Sequence, residues 1–368
     1  MVVSCHSAIL LWPMDAHSFA GSIAHAWIGW ASPLGLYGVE LFFALSGFLI
    51  GRIVFRSATA DDRPLLVRLK WFWARRWMRT IPLYLLVLSL NIALTARISH
   101  YAWDWRYLVF TQNLLTPHPG FFAAAWSLSV EEWFYLLFPL WILLVSSAFR
   151  KGDKRAHLAY ATLAFALLFA LVRILHIHAS PSLNLDSDIR KVVLYRLDAI
   201  AYGALAAWFA HFRPLAVDRY RVPIFVVGCL ILGLALWLND HLPTTTPGRT
   251  EQGAIILLFL NLSFAALMPL MSSIPLQWLG VLAKPIKFIS VISYPMYLCH
   301  SSLVLQVFML PLSFRAWFSP WVLFCLYWIC VLLFGFALHL IVEKPVMILR
   351  DKLWTDGPRD RSGERQIS

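Results

Sequence analysis

The chain has 368 residues, of which 60% are hydrophobic and 14% charged, and its mean hydropathy is +0.69. Soluble domains carry roughly 25% charged residues, so this composition excludes an ordinary soluble protein and predicts an all-α, polytopic membrane helix bundle. The formal net charge of +12 would suit a nucleic-acid-binding protein only if the basic residues shared one solvated face, and their distribution among the loops argues against that.

Apolar runs of bilayer-spanning length alternate along the chain with polar loops. The first run meets Pro13 too early to span, and we expect either a re-entrant half-span or the second part of a longer helix. The amphipathic segment 101–115 is expected to lie along the membrane surface. Residues 1–346 are predicted to form the membrane domain, and residues 347–368 a disordered, polar, cytoplasmic tail. The ten predicted spans are 1–13, 34–55, 80–97, 122–149, 156–176, 191–212, 221–238, 252–272, 286–310 and 318–343.

The basic residues indicate an orientation. Most of the 31 Lys and Arg residues fall in every second loop or in the tail. Because cytoplasmic loops retain Lys and Arg, both termini are predicted to be cytoplasmic. The excess positive charge then faces membrane lipids, and no nucleic-acid partner is expected. The five cysteines have no metal-ligand spacing, and no metal site is expected.

Two adjacent carboxylates, Glu131 and Glu132, lie in a predicted span. An ionisable group at bilayer depth costs about 2.5–3.5 kcal/mol on insertion scales, so each one needs a reason. One interpretation is a capping box, in which Ser127 or Ser129 begins a helix and a carboxylate follows. The other is a functional site, because two carboxylates between tryptophans exceed what a cap requires.

Further charged groups occur in two other spans. Arg196 and Asp198 are two positions apart, which puts them on different helix faces, so each should pair with another helix. They could form interhelical salt bridges or line a polar cavity. In the segment 38–52, Glu40 and Ser46 stand among apolar residues. The three glycines of that segment favour close helix packing as the alternative to a site.

His6 and His300 are imidazoles within apolar runs, and each is close to serine hydroxyls. Histidine titrates near neutral pH and is suited to proton transfer. A hydrogen-bonded structural histidine is the alternative interpretation for each. Tyr297, three residues before His300, is assigned with it to the polar interior.

An arginine cluster, formed by Arg75, Arg76 and Arg79, lies at helical spacing in a predicted cytoplasmic loop. Such a cluster is typical of a belt that binds lipid headgroups. It is equally suited to hold the phosphates of a nucleotide-based donor, because guanidinium groups bind phosphate in a bidentate manner.

Six strings in this order resemble the integral-membrane acyltransferase-3 family, which includes O-acetyltransferases of bacterial surface polysaccharides and of some antibiotics. The resemblance extends over nearly the whole chain. The strings are GVELFFALSGFLI (38–50), RRWMRTIPLYLL (75–86), WSLSVEEWFYLLFPL (126–140), YRLDAIAYGALAA (195–207), ISYPMYLCH (292–300) and VEKP (342–345).

The resemblance implies a ten-helix bundle in the bacterial inner membrane that moves an acyl group, usually acetyl, from cytoplasmic acyl-CoA. The acceptor would be a hydroxyl of a glycan or lipid-linked sugar, commonly on the periplasmic side. His6 matches the family's first-helix histidine and would be the base or a transient acyl carrier. The family's preceding arginine has no counterpart after Met1, so the first helix is expected to be truncated.

The same resemblance assigns the remaining groups. The arginine cluster would hold the CoA phosphates, and Glu131 or Glu132 would orient the acceptor or the histidine. Arg196, Asp198 and His300 would line the polar interior. A transporter or flippase is the competing class, but the chain shows no inverted repeat or matching pair of Gly/Pro-interrupted spans.

Overall fold

The structure is a computed structural model that describes residues 1–15, 17–60, 63–95, 103–149, 152–180, 182–241, 249–311 and 317–354. Within these ranges the chain is helical and has no β-strand, which confirms the predicted all-α bundle. Two π-helices, His300–Met309 and His339–Glu343, occur in the last part of the chain that the structure describes. The helices are α1 Val2–Leu11, α2 Phe19–Ala31, α3 Leu34–Ala60, α4 Leu65–Thr95, α5 Ala125–Ala148, α6 Lys154–Ala179, α7 Leu197–Phe212, α8 Pro214–His241, α9 Arg249–Ser273, α10 Ala283–Cys299, α11 Pro320–Leu338 and α12 Lys344–Leu353.

Eight helical segments of the described ranges are long and apolar enough to cross a membrane. Two further apolar helices, α1 and α7, are shorter than a full span. Together they account for the ten predicted spans. The eight segments are Phe19–Thr59, Leu65–Leu94, Ala125–Ala148, Lys154–Ala179, Pro214–His241, Thr250–Ser273, Leu276–Met309 and Pro320–Leu353.

Helix α2 lies where no helix was predicted. Ser18 caps its start by accepting a hydrogen bond from the backbone N–H of Gly21 at 3.0 Å. The helix was missed because it is only 13 residues long and is apolar without reaching the length of a span. It packs against α1. Its buried positions repeat at helical spacing: Gly21, Ala24, Ile28 and Ala31.

The segment between α4 and α5 differs in part from the prediction that residues 101–115 lie along the membrane surface. It is described from residue 103 onward and contains two short 3₁₀-helices there, Trp105–Val109 and Gly120–Phe122. Trp105 is exposed, whereas Gln112 and Asn113 are fully buried. Asn113 donates to the backbone oxygen of Lys191 at 2.7 Å. Polar side chains thus pull this loop into the protein, and the prediction that it lies along the surface was wrong for its second half.

The end of the chain is helical for longer than expected. Helix α12 begins at Lys344 and reaches Leu353, past the predicted domain boundary at residue 346. Pro345 stands in its first turn, where a missing N–H costs no hydrogen bond. Residues 355–368 of the predicted disordered tail lie outside the described residues.

The crossing of α3 and α7 depends on glycines. A Cβ atom on Gly47 of α3 would overlap the backbone oxygen of Ile200, and one on Gly203 of α7 would overlap the backbone oxygen of Ala44. Each helix therefore rests on a glycine of the other, which permits backbone contact. Helix packing, the structural interpretation of the glycines in the segment 38–52, is confirmed for Gly47. This crossing brings Glu40 of α3 against α7.

Candidate active site

The two histidines flagged in the sequence meet in the structure. His6 of α1 and His300, the first residue of the π-helix after α10, meet edge to edge, with ring centroids 4.9 Å apart and ring planes 18° from parallel. His6 Nδ1 and His300 Nε2 are 2.7 Å apart, within hydrogen-bond distance. His300 is fully buried, and its Nδ1 is 2.6 Å from the backbone oxygen of Tyr297.

These contacts fix the tautomers of both rings when they are neutral. A carbonyl oxygen only accepts, so His300 Nδ1 must donate its proton to Tyr297 O. His300 Nε2 is then an acceptor, and His6 Nδ1 must donate to it. His6 Nε2 therefore carries no proton, and its lone pair is available to accept one. The geometry therefore leaves a proton-accepting nitrogen on α1, in a ring that is held by a hydrogen bond to His300.

A tyrosine connects the histidine pair to α5. The Tyr297 hydroxyl lies 2.5 Å from Ser127 Oγ and donates to the backbone oxygen of Ala124 at 3.2 Å. Ser127 is buried in the first turn of α5. Its role there is to bind Tyr297, and it does not cap the helix.

The capping-box interpretation of the two carboxylates is wrong. Helix α5 begins at Ala125 without a side-chain cap, so Glu131 and Glu132 lie almost two turns inside it. Glu131 accepts hydrogen bonds from Ser46 of α3 and from Tyr135, one turn further along α5. Both carboxylates are buried. They belong to the polar interior.

Arg76 completes the network around Glu131. Its Nη2 donates to the Tyr135 hydroxyl at 2.8 Å, and its guanidinium lies 4.6 Å from the centre of the same ring. Glu132 faces Thr80 and Trp77 of α4. Tyr135 was not flagged in the sequence, although its i, i+4 spacing from Glu131 could have indicated it.

The arginine cluster does not act as one group. Arg76 turns inward to Tyr135, whereas Arg79 is exposed and Arg75 is partly exposed. Arg75 lies 4.9 Å from the ring centre of Trp71, a cation–π distance. Of the three predicted phosphate-binding arginines, Arg79 is exposed, and the Arg75 side chain is 23% exposed.

The buried charges of α7 form two ion pairs with other helices, as their spacing predicted. Arg196 pairs with Glu40 of α3, and both side chains are fully buried. Asp198 pairs with Arg173 of α6 at 2.8 Å, and Arg173 also donates to the backbone oxygen of Tyr195. The salt-bridge interpretation is thus confirmed for both residues. Their part in a substrate cavity stays a prediction.

Apart from these ion pairs, the geometry groups predicted site residues into two sets. His6, His300 and Tyr297 form the histidine pair and its support. Ser46 and Glu131 hydrogen-bond within the network that reaches Arg76, and Glu131 makes no hydrogen bond to either histidine. Orientation of His6 falls instead to His300. Within the described ranges, no group of three or more His, Cys, Asp and Glu residues could hold a metal ion.

Comparison with known proteins adds a family to this geometry. A model of the acyltransferase domain family matches residues 1–340. The chain belongs to this acyltransferase family. Taken with its many apolar helices, this makes it a multi-pass membrane protein.

Two curated relatives are O-acetyltransferase OatA of Staphylococcus aureus, from strain NCTC 8325 / PS 47 and from strain COL. Each is 26% identical over 298 residues, which cover 74% of this chain and 46% of the relative. The chain therefore spans about half the length of the curated relatives it matches. No solved structure matches the chain significantly.

Proposed function

We propose that the protein is a membrane O-acyltransferase that moves an acetyl group from acyl-CoA to a hydroxyl of a glycan or lipid-linked sugar. The observation that carries the proposal is the hydrogen-bonded series from His6 through His300 to the backbone oxygen of Tyr297. The family match and the name of the O-acetyltransferase relatives support the reaction class. They also favour an enzyme over the transporter considered from the sequence.

His6 Nε2 accepts the proton of the acceptor hydroxyl as the hydroxyl oxygen attacks the thioester carbonyl carbon. His6 becomes an imidazolium, and it donates from Nδ1 to His300 throughout. When the tetrahedral intermediate collapses, the carbon–sulfur bond breaks and His6 returns the proton to the leaving thiolate. One ester forms, one thioester is consumed, and His6 ends neutral.

The donor would bind at the part of α4 that carries Arg75 and Arg79, with both guanidinium groups on its phosphates. We place this part of α4 towards the cytoplasmic side, as the distribution of basic residues favours. The acceptor would approach His6 from the opposite side, where Arg190 and Lys191 lie within electrostatic reach of the imidazole. Arg76, Tyr135 and the two glutamates would support the acceptor or the acyl group.

The test is acetyl transfer by purified protein from radiolabelled acetyl-CoA to a hydroxyl acceptor, with wild type compared with His6→Ala. We expect the substitution to reduce turnover by about 10²–10⁴-fold, the usual contribution of a general base. His17→Ala is the matched control, because His17 is an exposed histidine near the same end of the chain. Wild-type turnover in a folded His6→Ala variant would rule out His6 as the base.

A further inference from the structure

Helix α12 packs against the arginine-bearing part of α4. Arg75 Nη1 donates to the backbone oxygen of Trp354 at 3.1 Å. Arg75 Nη2 donates to Oδ1 of Asp351 at 3.4 Å. A segment that the sequence assigns to a polar tail is thus held against one of the proposed donor-binding arginines.

A second arginine binds the same carboxylate oxygen. Arg350 donates to Asp351 Oδ1 from Nε at 2.9 Å and from Nη2 at 2.7 Å. Arg350 is 8% exposed, whereas the Asp351 side chain is 48% exposed. The partly exposed carboxylate of Asp351 therefore lies between two guanidinium groups, and that of Arg350 is buried.

The local charge balance favours binding of an anion. Arg79 lies within electrostatic reach of Arg350 and Glu343, and Arg75 within reach of Arg350. Three guanidinium groups thus share this region with the carboxylates of Asp351 and Glu343. Neighbouring positive charges repel, and that repulsion is relieved by an anion held between them. Phosphate makes the same charge-assisted contacts as carboxylate, with more acceptor oxygens.

We propose that Arg350 and Arg75 bind a phosphate group of the acyl donor, and that Asp351 occupies this place until the donor displaces it. Arg350 is then a donor-binding residue outside the predicted arginine cluster, and Asp351 competes with the donor. The inference rests on the proposed function, because it names binding residues for the donor of that reaction.

The first experiment removes the competing charge with Asp351→Asn. The KM for acetyl-CoA should fall about two- to fivefold, because a partly exposed ion pair contributes a modest free energy, and kcat should not change. A carboxylate in the last turn of α12 opposes the helix dipole, so its neutralisation should not unfold the helix. Asp218→Asn, at an exposed aspartate of α8, is the matched control.

The second experiment removes the buried guanidinium with Arg350→Gln. The KM for acetyl-CoA should rise on the order of tenfold or more, because a buried charge-assisted hydrogen bond to phosphate is lost. Arg350→Lys should restore part of the affinity. Lys352→Gln removes the same charge from an exposed position of α12 and should leave KM unchanged.

The opposite signs of the two variants separate competition from a structural role, because a loosened helix would raise KM in both. An Asp351→Asn variant with unchanged or higher KM overturns the inference. Direct acetyl-CoA binding in nanodiscs of neutral phosphatidylcholine, with and without anionic phosphatidylglycerol, separates the donor from lipid headgroups. Effects confined to the anionic discs would overturn donor binding. Absence of acetyl transfer by the wild type would instead contradict the proposed function.

Discussion

The histidine pair shows how much chemistry depends on one backbone oxygen. Tyr297 O accepts from His300, His300 accepts from His6, and the proton-free nitrogen of His6 follows from these two contacts. In a lone buried histidine, either ring nitrogen could carry the proton. The pair removes that freedom without any carboxylate, and so avoids placing a further charge beside the proposed reaction centre.

Replacement of His300 tests this orientation. We expect His300→Ala to lower kcat by about 10²–10⁴-fold, because His6 loses the acceptor that fixes its tautomer. The KM for acetyl-CoA should be unaffected. Steady-state kinetics on the purified variant measures both quantities.

Ser302→Ala is the control for His300→Ala, since Ser302 is buried on the same helix and its hydroxyl makes no hydrogen bond among the described residues. It should retain wild-type turnover. If His300→Ala also retained wild-type kcat, the neighbouring imidazole would not orient the base.

At single positions, the sequence indicated which buried polar residues belong to the interior more reliably than it indicated which residues they contact. The two-residue spacing of Arg196 and Asp198 correctly required partners on other helices. It could not identify Arg173 as one of them. His6 and His300 were flagged separately, and nothing in the local sequence indicated that they meet.

Among the elements, α10 has the geometry most closely tied to the site. Its continuation from His300 to Met309 is π-helical, with Leu310 N–H bonded to Leu305 O five residues earlier. Such wider turns are uncommon and often occur at functional sites. Here the π-helix begins at the histidine that contacts α1.

The α3–α7 crossing provides a test of the packing. Gly47→Ala should lower the free energy of unfolding by about 1–3 kcal/mol, because the added methyl group forces the two backbones apart. Thermal unfolding of the purified protein in detergent measures the change.

Gly233→Ala in α8 is the matched control, because an added Cβ there meets no atom within 4 Å. It should raise stability by up to ~1 kcal/mol through helix propensity. Equal destabilisation by both substitutions would show that the crossing does not require glycine.

Helices were predicted correctly where the apolar run was long enough to span a membrane. The long spans stand out because about 20 apolar residues in a row have few alternatives. Helices α2 and α12 were missed because they have only 13 and 10 residues, and α12 is also amphipathic. Ser18 before α2 and Pro345 at the start of α12 are the local signals that could have indicated them.

In the whole molecule, polar side chains link the arginine-bearing part of α4 to the histidine pair. Ser127 of α5 contacts Tyr297, and Glu131, one turn later on α5, belongs to the network of Arg76. Helix α5 thus contacts both parts of the proposed site. This explains why its two carboxylates are buried in the bundle instead of facing lipid.

The proposed orientation of the molecule predicts which side of the membrane each loop faces. A cysteine in place of Asp218 should react with a membrane-impermeant maleimide only after spheroplasts are permeabilised, whereas Thr116→Cys should react in intact spheroplasts. Both positions are exposed. The wild type, which has five free cysteines, gives the background. The reverse labelling pattern would show that the orientation is inverted, with the arginine-bearing part of α4 towards the outside.

The contact between His6 and His300 joins residues 294 positions apart in the chain. At a synthesis rate of about 5–20 residues per second, His300 is made roughly 15–60 s after His6. In that interval His6 is an unpaired polar group on a helix of ten residues. Under the proposed function, a nascent chain that ends before His300 would therefore carry the proposed base without the imidazole that orients it.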